Sequence, residues 1–273
     1  MIVYRHCEGF EELEACVRLQ VETWGYDASD VIPRKVYRVA QKIGGQVLGA
    51  FDTDIDSGER GNAEAMVGFL LALPGVKTTG EGRATAYLHS HMLAVRETCR
   101  NRGLGRELKL LQRVDALQRG IRLIEWTFDP LEIKNAYLNI RKLGAVVSTY
   151  LVDFYGVSSS QLQGGLPTDR LVAAWHLDSA RVRDILERKP AIAAQIEERI
   201  VVPASIYRWK ANPADRERAE VIQQENRRRF QQAFAQGLAV LGFDLDREGN
   251  GIYGLGRLAR PEAVLKGPDR YES

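Results

Sequence analysis

The chain has 273 residues, of which 45% are hydrophobic and 27% are charged, and its formal net charge is +2. This composition is typical of a globular protein with a sizeable core, and it argues against a disordered chain. The near-neutral charge gives no support to a nucleic-acid-binding or membrane-surface protein, because both depend on a strong basic excess. The length predicts one enlarged domain or two small ones.

Cysteine usage and the N-terminal sequence predict a cytoplasmic protein. The cysteines Cys7, Cys16 and Cys99 share no metal-ligand spacing and cannot all pair, which is typical of reduced thiols. We therefore expect no metal site. The N-terminus carries charge where a signal peptide has an apolar run, and no apolar stretch approaches the roughly 18 residues of a membrane span.

Up to residue 178, strand and helix patterns alternate along the chain. Helices are predicted where apolar residues recur at helical spacing between turn residues, over 10–23, 33–43, 104–118 and 131–143. Strands are predicted over 2–5, 46–52, 66–73, 87–96, 121–128, 145–155 and 171–177. Polar or glycine-rich loops are expected over 53–64, 76–85 and 158–168. The strand–helix–strand order over 87–128 predicts a right-handed crossover onto a sheet.

The rest of the chain has its own helices and strands but no chemical motif. Charged helices are predicted over 179–199 and 213–236, and short strands over 200–206, 238–243 and 251–255. We place a boundary near residue 178, which makes residues 1–178 one domain and residues 179–273 a C-terminal αβ extension. The extension is interpreted as a segment that packs on the sheet or forms a homodimer contact.

One stretch, Leu-Ala-Val-Arg-Glu-Thr-Cys-Arg-Asn-Arg-Gly-Leu-Gly over 93–105, indicates chemistry. A strand there enters a basic, glycine-bearing turn that opens a helix. The first N–H groups of a helix lack internal partners and carry partial positive charge, so a pyrophosphate fits there. Gly103 and Gly105 leave room for phosphates, and Arg100 and Arg102 add positive charge. The alternative is a surface turn that contains two glycines.

Two other phosphate-binding loops do not fit this stretch. A Walker A loop needs Gly-Lys-Ser/Thr, but Gly105 is followed by Arg106 and Glu107. A Rossmann fingerprint needs a third glycine where this chain has Leu108. A nucleotide-binding protein of either type is therefore disfavoured.

The Arg100–Gly105 segment resembles the Q/R-x-x-G-x-G/A loop of the GNAT superfamily, which consists of coenzyme-A-dependent N-acyltransferases. Residues 93–95 are similar to the bulged strand that binds pantetheine in that family, and residues 141–145 resemble the end of its last core helix. The match covers roughly residues 1–155, and the tail looks like the extension of a longer subgroup. Three positions depart from the family pattern: Ile140 stands where an acid tyrosine is usual, Ile133 where asparagine is usual, and Ala145 where an aromatic residue is usual.

The resemblance implies an α/β (α+β) fold with a mixed, mostly antiparallel sheet flanked by helices. It implies acyl transfer from acyl-CoA, acetyl-CoA by default and a succinyl donor as a candidate, to a small-molecule amine such as an amino acid. A non-catalytic acyl-CoA sensor or scaffold is the alternative, because the usual tyrosine is missing. The residues expected at the acyl-CoA are Leu93, Ala94, Val95, Arg100, Asn101, Arg102, Gly103, Leu104, Gly105 and Arg106.

A proton acceptor for the amine is expected on the strand before the loop. His89 and His91 are two residues apart and are predicted to share a face with Leu93 and Val95. A histidine suits proton removal near neutral pH, although the pair can also be a half-buried, hydrogen-bonded structural feature. Glu97 is a weaker candidate. Backbone N–H groups near Val95 and Arg96 are expected to polarise the thioester carbonyl.

Further candidates follow the buried strand over 121–128. Ligands commonly bind at the carboxyl ends of strands in open αβ sheets, which makes Asn135 a candidate for pantetheine or substrate binding. Asp129 either faces the same crevice or caps the following helix. Tyr137 and Tyr150 are candidate proton donors to the leaving thiolate, and Cys99 is interpreted as a plain thiol because no base neighbours it.

Overall fold

The structure is a computed structural model that describes residues 1–54, 63–78, 82–189 and 195–258. The chain divides into two compact units. The first unit contains Met1–Val76 and Thr85–Ile124, and the second contains Lys77–Ala84 and the chain from Glu125 onward. Parts of the loops expected over 53–64 and 76–85 lie outside the described residues. The domain boundary near residue 178 stays a prediction.

The first unit is built on four neighbouring strands in the order β1-β2-β3-β4. The pairs β1/β2 and β2/β3 are antiparallel. The strands are β1 Ile2–His6, β2 Gln46–Asp52, β3 Met66–Thr78 and β4 Ala84–Val95. The helices are α1 Gly9–Trp24, α2 Arg34–Lys42 and α3 Leu104–Gln118.

Helices cover this sheet on both faces. Two hydrogen bonds join Gln46 of β2 to Gln112 of α3. Gln46 Nε2 donates to the Gln112 backbone carbonyl at 3.1 Å, and Gln112 Nε2 donates to Gln46 Oε1 at 3.0 Å. The next residue, Val47, belongs to a core cluster with side chains of α1 and α2. Because successive side chains of a strand point to opposite faces, α3 covers one face and α1 with α2 the other.

The second unit contains a sheet in the order β5-β7-β6-β9-β10-β8. The neighbouring pairs β6/β7, β6/β9, β9/β10 and β10/β8 are antiparallel, so the predicted, mostly antiparallel fold class is confirmed. The strands are β5 Leu123–Phe128, which spans the division, β6 Val146–Leu151, β7 Arg170–His176, β8 Glu198–Val202, β9 Ala239–Leu245 and β10 Gly251–Gly256. The helices are α4 Ile133–Ala136, which continues as a π-helix over Tyr137–Lys142, α5 Ala180–Leu186, α6 Ile206–Ala211 and α7 Arg216–Ala235.

The C-terminal strands continue the sheet of this second unit. Val147 of β6 pairs with Val240 of β9. Arg181 of α5 donates to the carbonyls of Gly144, at 3.0 Å, and Leu241, at 2.7 Å. The segment after residue 178 therefore shares backbone pairing with the segment before it.

The predicted helix over 179–199 is wrong in its second half. Ser179 caps a helix whose Val182 N–H donates to the Ser179 hydroxyl, but α5 ends at Leu186. Residues 190–194 lie outside the described residues, and 198–202 form β8. In that strand the buried residues Ile200 and Val202 alternate with exposed neighbours. The charged residues around them obscured this two-residue period in the sequence. The predicted strand over 200–206 is therefore shorter, and α6 begins at Ile206.

Strand β3 also runs past its predicted end at Pro74 and Gly75. Its pairing with β2 finishes at Gln46↔Ala72, so Pro74 lies beyond the last β2 partner. A proline there removes no hydrogen bond from the β2 ladder, which explains why the strand tolerates it.

The buried face of α1 matches the predicted apolar stripe only in part. Of the four residues at helical spacing in the predicted helix over 10–23, Leu13 is buried and Val17 packs against the core, whereas Phe10 and Val21 are 60% and 46% exposed. Cys16 and Leu19 complete the buried face. The spacing alone fits both faces, and the packing against β1–β3 selects one of them.

A buried ion pair joins α7 to Asp169, the residue that precedes β7 in the second unit. The Asp169 carboxylate is fully buried. It accepts hydrogen bonds from Arg227 Nε, at 2.8 Å, and from Arg227 Nη2, at 3.0 Å. Tyr150 donates to the same carboxylate at 2.5 Å. A buried carboxylate needs such partners, because an uncompensated charge in the interior is strongly destabilising.

We predict that Arg227→Met lowers the free energy of unfolding by about 3 kcal/mol, because Asp169 loses its bidentate partner. Chemical denaturation measures this difference. The matched control is Arg228→Met, since the Arg228 side chain is 65% exposed and pairs with Glu225 on the surface. The control should change stability by less than about 1 kcal/mol. Equal effects of the two variants would contradict the assignment.

Candidate functional site

The turn between β4 and α3 is held by its backbone. Arg96 N–H donates to the Val67 carbonyl at 2.8 Å, and a short 3₁₀ turn follows over Glu97–Cys99. Asn101 and Gly103 both adopt left-handed conformations, with φ of 63° and 86°. These two positions reverse the chain, so that α3 begins immediately after Gly103.

The N-terminus of α3 has the form of an anion site. Gly103 is the N-cap residue and supplies no side-chain cap, so no side chain of its own covers the first free N–H groups. Nothing lies within 4 Å of where a Cβ on Gly103 would stand, and residues 101–103 are exposed. The residues present therefore fit a pyrophosphate group, which a helix N-terminus binds through its N–H groups and dipole.

Gly105 sets the approach of α3 to β4. A Cβ at this position would lie 3.3 Å from Leu93 Cδ2, closer than side chains normally pack. Glycine thus allows the first turn of the helix to lie against the strand. The sequence predicts that Gly105 lets phosphates approach closely, and this stays a prediction. The structure shows that Gly105 lets the helix approach Leu93 closely.

Four arginines surround the turn, and they are engaged differently. Arg100 Nε donates to the Val95 carbonyl at 3.1 Å, and Arg96 pairs with Glu22 of α1 at 3.4 Å. Arg102 Nη1 lies 4.0 Å from Cys99 Sγ, and Arg106 pairs with Glu107 at 3.1 Å. Their positive charge stays beside the turn, although the guanidinium of Arg100 is partly committed to the strand. The Cys99 thiol is 7% exposed.

Strand β4 does not alternate regularly. The Lys109 ammonium of α3 donates to Ser90 Oγ at 2.7 Å, so Ser90 faces α3. Two residues later Met92 lies in the core of α1 and α2, where its sulfur accepts from the Tyr37 hydroxyl at 3.7 Å. Regular alternation would place Ser90 and Met92 on one face. The alternation is therefore interrupted between them, which is the effect of a β-bulge.

The two histidines flank Ser90 in the interrupted part of β4. Leu93 lies beside Gly105 of α3, on the face to which Ser90 also points. The imidazole rings of His89 and His91 lie 6.0 Å apart between centroids, so the two rings are neighbours. That both histidines share a face with Leu93 and Val95 stays a prediction.

Burial favours the neutral form of the His91 imidazole. Its half-buried ring is desolvated, and this burial lowers the pKa of His91 below its usual 6.5. A lowered pKa keeps the imidazole neutral at pH 7, which is the form that accepts a proton. The backbone N–H of Arg96 was expected to polarise the thioester carbonyl. It already donates to the Val67 carbonyl, so it is not available for that role in this structure.

Asn135 and Tyr137 lie in the second unit. Asn135 is exposed on α4, and Tyr137 begins the π-helix with Lys142 Nζ 5.2 Å from its ring centroid. Ile133 and Ile140, which stand at the family's polar positions, are 5% and 1% exposed. These two isoleucines belong to the core.

Tyr150 and Asp129 are committed to structural bonds. Burial, and then the hydrogen bond to Asp169, raise the pKa of Tyr150, so this hydroxyl is a poor proton donor near neutral pH. Asp129 Oδ1 accepts from Leu131 N–H at 2.8 Å, and its Oδ2 accepts from Lys210 Nζ at 2.7 Å. The prediction that Asp129 caps the following helix is wrong, because the N-cap of α4 is Glu132 and the Asp129 bond to Leu131 closes the turn before the helix. The lysine partner of Asp129 was missed because it lies 81 residues away.

An open cavity of about 430 Å³ lies in the first unit beside α1 and the start of α2. It is lined by Phe10, Glu11, Glu14, Arg18, Arg34, Ala63 and Glu64. None of the predicted site residues lines it. Among the described residues, no helix combines the length and the apolar character needed to cross a bilayer.

Comparison with solved structures identifies the fold. NAA60 from Arabidopsis thaliana in complex with acetyl-CoA is 15% identical, with 66% of this chain and 100% of NAA60 covered and a TM-score of 0.52. A GNAT-family protein from Desulfovibrio desulfuricans is 15% identical, with coverages of 65% and 99% and a TM-score of 0.48. FeeM, an N-acyl amino acid synthase from uncultured soil microbes, is 13% identical, with coverages of 70% and 99% and a TM-score of 0.48.

The chain therefore has the fold of the GNAT acetyltransferases, as its loop resemblance predicted. No protein-family profile and no curated protein sequence matches it. At these identities the likeness establishes the fold alone, and the roles of individual residues stay predictions.

We predict that His91 titrates below 6.5, because burial penalises the imidazolium. The imidazole signals in a pH series of NMR spectra measure this, and His91→Gln identifies the signal. The unfolded chain binds the proton more readily, so the His91 contribution to stability is present above pH 6.5 and is lost as the pH falls through the lowered pKa. A titration midpoint above 6.5 would show that the ring is solvated or paired with an anion.

Proposed function

We propose that the protein is an acyl-CoA-dependent N-acyltransferase that acts on a small-molecule amine, with acetyl-CoA as the default donor. One observation carries the proposal. The glycine-capped N-terminus of α3 opens on exposed residues with arginines around it, directly after an interrupted strand with two histidines. The NAA60 structure, whose fold this chain shares, contains acetyl-CoA, which supports acetyl-CoA as the first donor to test.

The donor-binding residues follow from the turn. The first N–H groups of α3, with Arg102 and Arg106 nearby, hold the pyrophosphate of coenzyme A in this proposal. Leu93, Ala94 and Val95 supply the strand along which the pantetheine arm runs. Acyl-CoA contributes the activated acyl group, since its thiolate is a good leaving group.

The first unit also supplies a proton acceptor for the transfer. His91, neutral at pH 7, accepts a proton as the acceptor amine forms its bond to the acyl carbon. The carbon–nitrogen bond forms, the carbon–sulfur bond breaks, and the thiolate of coenzyme A takes up a proton. His89, 6.0 Å from His91 between ring centroids, stays the second predicted proton acceptor. Tyr137 stays the predicted proton donor to the thiolate.

A second function has one observation in its favour. Ile133 and Ile140 are buried where the family usually has polar side chains, which fits a chain that binds acyl-CoA without turning it over. Such a protein would act as a sensor or scaffold. An amino acid as acceptor, a succinyl donor, a homodimer and a cytoplasmic location remain predictions of the same proposal.

We expect the purified chain to release coenzyme A thiol from acetyl-CoA in the presence of at least one amine of a panel. The panel includes amino acids and polyamines, and succinyl-CoA is tested in parallel. A thiol-reactive dye measures release, and mass spectrometry identifies the acylated amine. Tight acetyl-CoA binding without release for any amine would reject the enzyme and leave the sensor.

The second prediction of the proposal concerns Gly103. We expect Gly103→Leu to weaken acetyl-CoA binding by at least about tenfold in calorimetry, because the side chain would stand before the free N–H groups. Gly120→Leu is the matched control. Gly120 also has a positive φ, 76°, with open space around it, at the other end of the same helix. Both variants carry similar backbone strain of roughly 1–2 kcal/mol, so equal losses of affinity would rule out the proposed loop.

A further inference from the structure

A buried lysine connects α3 to the strand that carries the histidines. Lys109 is 3% exposed, and its ammonium donates to Ser90 Oγ at 2.7 Å and to Gln112 Oε1 at 3.2 Å. Gln112 Nε2 in turn donates to Gln46 Oε1 at 3.0 Å. All four side chains are at most 5% exposed. A polar cluster thus occupies the inner face of a helix that also packs Leu108 and Ala116 into the core.

This cluster is unexpected on grounds of stability alone. Taking an ammonium out of water is costly, and burial lowers the pKa of Lys109 well below its usual range. An apolar side chain of similar length would fill the same volume without that cost. Buried polar networks of this kind specify one arrangement of the groups around them. Lys109 is therefore expected to fix the position of the side chains that it contacts.

The contact with Ser90 shows which part of β4 Lys109 holds in place. Ser90 lies between His89 and His91, at the start of the interruption in β4. The hydroxyl of Ser90 is held on the α3 face by Lys109, whereas Met92 is held on the opposite face by the core of α1 and α2. The interruption is therefore fixed from both sides of the sheet, and His91 lies between the two fixed points.

Lys109 also ties this interruption to the loop before α3. The places where the helix lies against β4 include Gly105, beside Leu93, and Lys109, which bonds to Ser90. The first contact lies within the opening turn of α3, and the second lies four residues further along. Together they set the distance and rotation between the helix N-terminus and the histidine-bearing part of the strand.

We propose that Lys109 is a positioning residue, which fixes the His89–His91 segment of β4 relative to the helix N-terminus through its bond to Ser90. Its effect on turnover rests on the proposed acyltransferase function. Its effect on the geometry of the histidines does not. Lys109 acts through Ser90 and takes no part in the bond-forming step.

The kinetic test uses Lys109→Met and Ser90→Ala, with Lys42→Met as the control. Lys42 is exposed at the end of α2 in the same unit, so the control makes the same chemical change away from β4. In variants that circular dichroism shows to be folded, we expect kcat to fall about tenfold. The KM for acetyl-CoA should stay within about twofold of the original, because the loop itself is unaltered. An unchanged kcat in folded Ser90→Ala overturns the proposal, even if Lys109→Met does not fold.

The double variant separates positioning from a general loss of packing. If Lys109 acts through Ser90, the double variant Lys109→Met/Ser90→Ala should lose no more kcat than the worse single variant. Losses that multiply would show two independent effects and would reject the connection.

The histidine signals give a readout that needs no enzymatic activity. The chain has four histidines, His6, His89, His91 and His176. In Lys109→Met and Ser90→Ala we expect the imidazole NMR signals of His89 and His91 to shift, while His176 stays in place as an internal reference. Unmoved signals overturn the positioning role. Shifted signals in a chain that never releases coenzyme A thiol would support positioning while rejecting the proposed function.

Discussion

Strand β4 has to pack against two cores at once, and the first unit depends on how it does so. Met92 and Ala94 contribute to the core of α1 and α2, while Ser90 and Leu93 meet α3 on the other face. A perfectly regular strand cannot put Ser90 and Met92 on opposite faces. The interruption between them resolves the conflict, and the two histidines lie beside it in the strand. Irregular backbone of this kind is common beside functional sites.

The turn after β4 follows from the same packing. The helix α3 lies close to the strand at Gly105, where a side chain would press on Leu93. Its N-terminus is left without a side-chain cap because Gly103 occupies the cap position in a left-handed conformation. The two glycines therefore serve different needs, close packing at one and chain reversal at the other. What results is a helix end with unsatisfied donors in an arginine-rich neighbourhood, which is a suitable place for an anionic group.

Buried charges determine much of the remaining architecture. Asp169 is matched by Arg227, and Asp129 by Lys210, each from a part of the chain that is distant in sequence. Burial is the main cause that raises the pKa of Glu132. Lys210 opposes this shift, and the neighbouring Asp129 adds to it. Because a buried charge without its partner is strongly destabilising, these pairs make the C-terminal segment part of the second unit's structure. They also explain why Tyr150 and Asp129, attractive from sequence as site residues, are engaged in structural bonds.

The sequence by itself determined most of the helices and strands, the turn at Arg100–Gly105 and the fold class. These are local features, since periodicity, glycine placement and capping act over a few residues. Only the tertiary structure decided which face of α1 is buried, where β4 breaks its alternation, and which residues complete the buried charges. Local spacing is compatible with several faces and several partners, because the energy that selects among them comes from packing and desolvation between distant segments. Lys109 shows the difference most plainly: its sequence neighbours predict an ordinary amphipathic helix, and its contact with Ser90 exists only in the fold.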